Sequence, residues 1–354
     1  MRICFIIPGF GDGGAQKQCI LLLNELQTRA GLDLHLIRFH PGEVHDGLLR
    51  TERLAVHTIP ARSNWNPANI FRAWRLVRSI RPHILVSWLP ACDVYAFAIR
   101  KLLPHIRWVM TERDSFYPRD LRSVLRRFAG RHADLIVSNS RAGDALWQRW
   151  APQVPRHLVG NIVPKVLLAP GEQPKRFDVI HVGRLEPQKN VLVVAQAFAL
   201  LARRRPELRF AFVGKGSLQT EVAKIIQEGG VADRFELAGF RRDVQSFIRE
   251  SRVVVTMSNH EGTPNVMLEA VAENRPVLAS AIPEHIDVLG PDYPHLIRER
   301  HDPELVATGI EAILGDPEAT DHLESARERL TGMAAQQIGD AYFAIFSGLL
   351  RVTA

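Results

Sequence analysis

The stretch Arg252-Val-Val-Val-Thr-Met-Ser-Asn-His-Glu-Gly-Thr-Pro-Asn-Val-Met-Leu-Glu-Ala270 changes character in its middle. Its first six residues are almost wholly apolar or β-branched without polar alternation, the pattern of a strand covered on both faces. After Met257 the chain turns polar, and the run ending in Val-Met-Leu-Glu-Ala reads as a helix. Thr263 reads as its N-cap and Pro264 as its first residue, which leaves Glu261 in the loop and sets Glu269 in the second turn. A strand passing through a short polar loop into a helix is half of a βαβ unit.

The same unit recurs on both sides. In the second half, strands are expected near Val179–Val182, Arg209–Val213, Arg252–Met257 and Pro276–Ser280; in the first half, near Ile3–Ile7, Leu34–Phe39, His83–Ser87, Arg107–Thr111 and Leu135–Ser138. Pro164 to Phe177, with three prolines, a glycine and several charges, reads as a linker. The expected fold is therefore α/β, with two doubly wound parallel sheets facing across a cleft. The domains are 1–165 and 166–354, with the C-terminal helix returning to the first. Ligands of such sheets bind outside the carboxyl ends of strands, so the loops after each strand hold the candidate chemistry.

The loop after the first strand, Pro8-Gly-Phe-Gly-Asp-Gly-Gly-Ala15, precedes a helix expected from Gln16. Glycines let backbone approach a ligand, and amides at a helix start attract phosphate. Gly9, Gly11 and Gly14 fit GxGxxG, but Arg38-Phe39-His40 stands where a ribose-binding acid belongs in an NAD site. An NADP-dependent oxidoreductase is thus the alternative reading. The loop Gly183-Arg-Leu-Glu-Pro-Gln-Lys-Asn190 places Arg184 and Lys189 at one strand end, although only seven of the 45 basic residues are lysine. Two cations there suit a diphosphate. Glu261 and Glu269 can reach different parts of one ligand, and carboxylates accept hydrogen bonds from vicinal hydroxyls.

The 354 residues are 46% hydrophobic and 23% charged, which excludes disorder and a disulfide scaffold. Cys4, Cys19 and Cys92 lie among apolar neighbours without CxxC spacing and read as buried thiols. The longest nearly apolar run, Val191 to Ala202, is too short to span a bilayer. The N-terminus lacks the apolar core of a signal peptide, so a cytoplasmic location is expected. Residues 1–165 carry 24 basic against 12 acidic side chains and the rest 21 against 26, so the +7 net charge divides into +12 and −5. A nucleic-acid binder is disfavoured by the acidic second half; a one-sided basic domain suits an anionic membrane surface. Two basic stretches, Ile70–Arg78 and Arg119–Arg131, have the helical spacing for it.

These residues resemble the retaining GT-B glycosyltransferases of family 4. The resemblance rests on the Gly13-Gly14-Ala15 loop, Gly160-Asn-Ile-Val-Pro164, Gly183-Arg184-Leu185 with Lys189, the Gly214-x-Gly216-x-Leu218 turn, and Glu261 followed eight residues later by Glu269. It implies that Arg184 and Lys189 bind the donor diphosphate, Glu261 the donor sugar and Glu269 the ribose. It further implies that Gly262, Thr263, Pro264, Asn265 and Val266 contact sugar and phosphate, that Gly214 and Gly216 belong to the donor site, that Gly239 and Phe240 flank the base, and that Gly13 and Gly14 close on the diphosphate. Where relatives carry a histidine after the fourth strand, Thr111-Glu112-Arg113-Asp114 stands here, making Glu112 and Arg113 acceptor or sugar contacts.

The implied reaction transfers a sugar from a nucleotide diphosphate sugar, a UDP-sugar favoured, to a hydroxyl of a lipid-linked saccharide in exopolysaccharide, capsule or lipopolysaccharide synthesis. The chain has no Asp-x-Asp sequence, and the cation pair replaces a metal, so neither metal nor cofactor is expected. Partners are the donor, a polyprenyl-diphosphate-linked glycan and the inner face of the plasma membrane.

Overall fold

Period-two burial in the first strand sets up two helical layers. In the computed structural model, which describes residues 1–163 and 175–351, β1 (Arg2–Gly9) turns Ile3, Phe5 and Ile7 into one core and Cys4 and Ile6 into another. Both faces are apolar because both are covered. The other strands of the first unit are β2 (Asp33–His40), β3 (Leu54–Thr58), β4 (Ile84–Ser87), β5 (Arg107–Glu112), β6 (Leu135–Ser138) and β7 (Arg156–Leu158). All pair in parallel, in the order β3-β2-β1-β4-β5-β6-β7. Helices α1 (Gly14–Leu26), α2 (Pro67–Ile80), α3 (Pro90–Leu102), α4 (Leu121–Gly130) and α5 (Arg141–Trp150) connect them.

The second unit runs from Val163 to Gly332. Its strands β8 (Phe177–Val182), β9 (Phe210–Val213), β10 (Phe235–Gly239), β11 (Ser251–Thr256), β12 (Val277–Ser280) and β13 (Leu296–Ile297) form a parallel sheet in the order β10-β9-β8-β11-β12-β13. Between and after them come α6 (Val191–Arg204), α7 (Gln219–Glu228), α8 (Val244–Arg249), α9 (Asn265–Ala272), α10 (Pro283–Leu289), α11 (Pro303–Gly315) and α12 (Glu324–Leu330). Phe198 of α6 packs against Phe210 and Phe212 of β9 in its core. The final helix α13 (Ala335–Arg351) belongs to the first unit, which comprises Met1–Ile162 and the chain from Met333 onward. Tyr342 and Phe346 of α13 enter the core of Ile3, Phe5 and Leu23. The expected boundary at 165/166, and the linker from Pro164 through Pro174, lie outside the described residues.

The central strands fall where the apolar runs place them, whereas β3, β7, β10 and β13 have no counterpart in that reading. All four are sheet edges. An edge strand is short and partly wet, so it lacks the continuous apolar signal of a buried one. Helix starts also shift: α1 begins at Gly14 rather than Gln16, and Gly9 ends β1 instead of entering a phosphate loop. A Cβ on Gly9 would lie 2.3 Å from Glu43 Oε2 and 2.8 Å from the carbonyl oxygen of His40, so close packing explains that glycine. The three cysteines are buried free thiols, and among the described residues no helix is long and apolar enough to cross a membrane.

Candidate active site

The loops after the strands of the second unit are stitched into one rim by backbone bonds. The amide of Gly183 donates to the carbonyl of Val213, that of Leu185 to Lys215, that of Gly214 to Gly239, and that of Asn259 to Gln188, at 2.8–2.9 Å. Gly214 has φ +146°, and a Cβ there would stand 1.9 Å from the carbonyl oxygen of Gly183. The β8 and β9 loops therefore touch through backbone, which only glycine allows. A Cβ on Gly216 would meet the carbonyl oxygen of Leu185 at 2.2 Å. The geometry thus assigns Gly214 and Gly216 a packing role at this rim. Gly239, at φ +63°, ends β10, and Phe240 follows it.

On the rim, Lys189 Nζ donates to Glu261 Oε1, and Ser258 Oγ donates to the same oxygen at 2.6 Å. The pair is largely removed from water, with side-chain exposures of 16% and 8%. Burial pushes the Glu261 carboxyl up, but Lys189, His285 and Ser258 together hold it below its ordinary value. The pair thus sits in a setting of low dielectric, where a charge acts more strongly on a ligand than it would in water. Arg184 is exposed, and its Nη2 donates to Gln188 Oε1 at 2.8 Å. Gln188 in turn donates to the carbonyl oxygen of His260 at 3.0 Å, tying the β8 loop to the β11 loop. The structure thus brings Arg184, Lys189, Glu261 and Glu269 to the carboxyl ends of β8 and β11, Glu269 being buried in the second turn of α9.

One detail of that helix is corrected. Its N-cap is Pro264, with φ −76° and ψ 83°, and Asn265 is its first residue. Thr263 therefore precedes the cap. The physical reason is that Pro264 leaves the helical region at ψ while its carbonyl accepts the first helical bond, from the amide of Leu268 at 3.1 Å. Gly262 is buried, and Thr263, Asn265 and Val266 are half-buried along this helix start.

Two histidines escaped the sequence reading. His181, in β8, donates from Nδ1 to the carbonyl oxygen of Val255 at 3.0 Å, and His285, in α10, from Nδ1 to that of Ser280 at 2.8 Å. The Nε2 of each is buried without a partner. A lone histidine inside the apolar run Val179–Val182 is the signal that could have found the first.

In the first unit, Gly13 is the N-cap of α1 and Gly14 its exposed first residue. The structure draws Glu112 inside the fold. Its fully buried carboxylate accepts from the amides of Arg113 and Asp114 at 2.7 and 2.8 Å, from Arg126 Nη1 at 2.9 Å, from Tyr117 Oη and from Trp147 Nε1. Those donors occupy its acceptor sites, so it is an anchor for the loop after β5. Arg113 lies 3.8 Å over the Trp88 ring, and its guanidinium donates to Asn161 Oδ1 at 3.3 Å and to Tyr342 Oη. Trp88 Nε1 donates to the carbonyl oxygen of Ala15 at 2.9 Å, so Arg113 sits next to the residue that fastens the glycine loop.

Comparison with known proteins decides what this rim belongs to. Two family models match the chain: Glycosyltransferase Family 4 over residues 12–165 and Glycosyl transferases group 1 over residues 169–329. The chain is a family 4 glycosyltransferase. It is 24% identical over 347 residues to the lipopolysaccharide core biosynthesis glycosyltransferase LpsE of Rhizobium meliloti, covering 95% of this chain and 96% of that one. It is 21% identical over 350 residues to the Campylobacter jejuni GalNAc-alpha-(1->4)-GalNAc-alpha-(1->3)-diNAcBac-PP-undecaprenol alpha-1,4-N-acetyl-D-galactosaminyltransferase, covering 96% and 94% of the two chains. Among solved structures, Anabaena HepE in complex with UDP and glucose superposes with a TM-score of 0.84 at 16% identity, covering 98% of this chain and all of that one. The glycosyltransferase thus has the GT-B fold, and the oxidoreductase reading falls away.

The histidines give the transferase a pH signature. Burial brings His181 and His285 down to about 4 from the ordinary 6.5, so both are neutral at pH 7. The unfolded chain takes up these two protons as pH falls below 6.5 and the folded chain resists them, so stability present above 6.5 is lost on the way to 4. Asp93, pushed up to about 6 by burial, opposes this with one proton. The net expectation is a lower Tm at pH 5 than at pH 7, measured calorimetrically. A Tm that stays level or rises on acidification contradicts it.

Proposed function

We propose that this glycosyltransferase moves a sugar from a UDP-sugar to a hydroxyl of a lipid-linked saccharide, retaining the anomeric configuration, in lipopolysaccharide, capsule or exopolysaccharide synthesis. The observation that carries the reading is the Lys189–Glu261 pair, with Arg184 and the start of α9, at the carboxyl ends of β8 and β11. As the diphosphate leaves, negative charge develops on it, and Lys189, Arg184 and the positive end of α9 are already in place to stabilise it. Donor binding gives both members of the ion pair new partners: phosphate for the ammonium, sugar hydroxyls for Glu261. Glu269 holds the ribose. Front-face attack lets the departing phosphate take the proton of the acceptor hydroxyl, so no side chain is assigned as base. The names of the Rhizobium and Campylobacter relatives, and UDP in the HepE complex, support the donor and acceptor classes.

The test is turnover of a UDP-sugar panel on a polyprenyl-diphosphate-linked glycan, with the product linkage read by NMR. Retention, and rates that persist after exhaustive chelation, are expected. An inverted linkage overturns the retaining mechanism, and activity restored only by Mg²⁺ or Mn²⁺ overturns the reading of the cation pair.

The same proposal places the acceptor at an anionic leaflet, and here the structure corrects one residue. Helix α4 buries Arg126, Ala129 and Gly130, while Leu121 at 72%, Phe128 at 51%, Val124 and Leu125 face solvent. An ordinary surface helix does the reverse. Arg126 therefore leaves the expected basic surface because it is needed as a counter-ion in the core. Arg119, Arg122 and Arg127 remain exposed. Exposed apolar side chains bordered by arginines suit a headgroup layer, each basic residue adding about 1 kcal/mol near an anionic surface. In liposome co-sedimentation, binding is expected to require anionic lipid, weaken with salt and fail in Leu121→Ser/Leu125→Ser/Phe128→Ser and in Arg119→Glu/Arg122→Glu/Arg127→Glu. Equal sedimentation with neutral vesicles, or none with anionic ones, points to a soluble acceptor.

A further inference from the structure

Among the described residues, one cluster of metal-ligating side chains lies outside the donor loops: His295, Asp316 and His322 of the second unit. His295 immediately precedes β13, Asp316 is the C-cap of α11, and His322 sits in the single turn Asp321–Leu323 that leads into α12. This is the other end of the sheet from the donor rim, since Arg252 at the start of β11 donates to the carbonyl oxygen of Leu314 at 3.2 Å, whereas Glu261 follows the end of β11.

The two imidazoles converge on one oxygen. His295 Nε2 and His322 Nε2 each lie 3.1 Å from Asp316 Oδ2, and the rings stand edge to face with centroids 5.8 Å apart. Zinc bound tetrahedrally at about 2.0–2.1 Å holds its ligand atoms roughly 3.3 Å apart, so the observed separations are close to the edges of such a site. Asp316 is already oriented, because its Oδ1 accepts the amide of Glu318 at 2.9 Å and leaves Oδ2 to the histidines. His295 is 9% exposed and packs edge-on against Tyr293.

We propose that His295, Asp316 and His322 form a structural site for Zn²⁺, with water as fourth ligand, that ties β13, the end of α11 and the turn before α12 together. Two imidazoles and one carboxylate suit zinc and do not suit Mg²⁺, which prefers oxygen ligands. The site is separate from sugar transfer, and its test is independent of the proposed donor and acceptor.

The experiment uses the untagged chain, stripped with chelator and titrated calorimetrically with Zn²⁺ and, separately, Mg²⁺. One Zn²⁺ per chain, no Mg²⁺, and a Tm raised by Zn²⁺ are expected. His322→Ala and Asp316→Asn should abolish binding; His322 is the most exposed of the three, so its variant is expected to keep the Tm of the stripped wild type. Absence of Zn²⁺ binding by the wild type, or the same stoichiometry in both folded variants, overturns the proposal. Turnover that needs the added Zn²⁺ would equally contradict a purely structural site.

Discussion

Arg184→Ala and Lys189→Ala are each expected to lower kcat/KM for sugar transfer by about 30-fold or more, equivalent to at least ~2 kcal/mol of transition-state stabilisation, as for loss of one oxyanion donor. The two variants should differ in stability. Arg184 is exposed and its side chain bonds Gln188, so its loss is expected to leave Tm nearly unchanged. Removal of Lys189 strands the buried Glu261 carboxylate with Ser258 as its remaining donor among the bonds described above, and an unpaired buried charge destabilises. Lys189→Ala should therefore lower both activity and Tm, and adding Glu261→Gln should restore part of the Tm but none of the activity. Activity within a few-fold of wild type in both single variants removes the diphosphate clamp.

Arg126→Met carries the largest expected loss of stability. Arg126 is 2% exposed, donates from Nε to Asp93 Oδ2 at 2.6 Å and from Nη1 to Glu112 Oε2 at 2.9 Å, and reaches the carbonyl oxygen of Thr111 at 3.3 Å. Methionine fills much of the volume and leaves two buried carboxylates without their cation. Breaking a buried pair in this way costs about 3–5 kcal/mol. For a unit of this size that corresponds to roughly 10 °C in Tm. Lysine is no substitute, because a single ammonium cannot reproduce the fork that spans both carboxylates. Thermal unfolding checks it, and a shift of a degree or two would show that the network relaxes around the gap.

The contrast between these two sites shows what the residue order makes legible. The rim proposed to hold the donor is readable because its chemistry is local: Arg184 and Lys189 share one loop, and Glu261 and Glu269 flank one helix start. The central strands are readable because burial on both faces leaves continuous apolar runs such as Ile3–Ile7. Arg126 is not, since helical periodicity treats arginine as a solvent residue, and the carboxylates that draw it inward lie 33 and 14 residues away in the chain. His285, 104 positions beyond His181, is hidden for the same reason: its role is defined by what packs around it, not by its neighbours in the chain. The glycines of the β9 loop show a different failure, because a Gly-x-Gly turn that suggests phosphate also permits backbone contact with Gly183.

The central claim is that the loops after β8 and β11 of the second unit hold the diphosphate of the donor. Titration calorimetry of UDP into the wild-type chain and into Arg184→Ala tests it most directly, since Arg184 can be removed without disturbing the buried pair. The account predicts one UDP per wild-type chain and at least tenfold weaker binding to the folded variant. Equal affinity of the two would place the nucleotide elsewhere and contradict it.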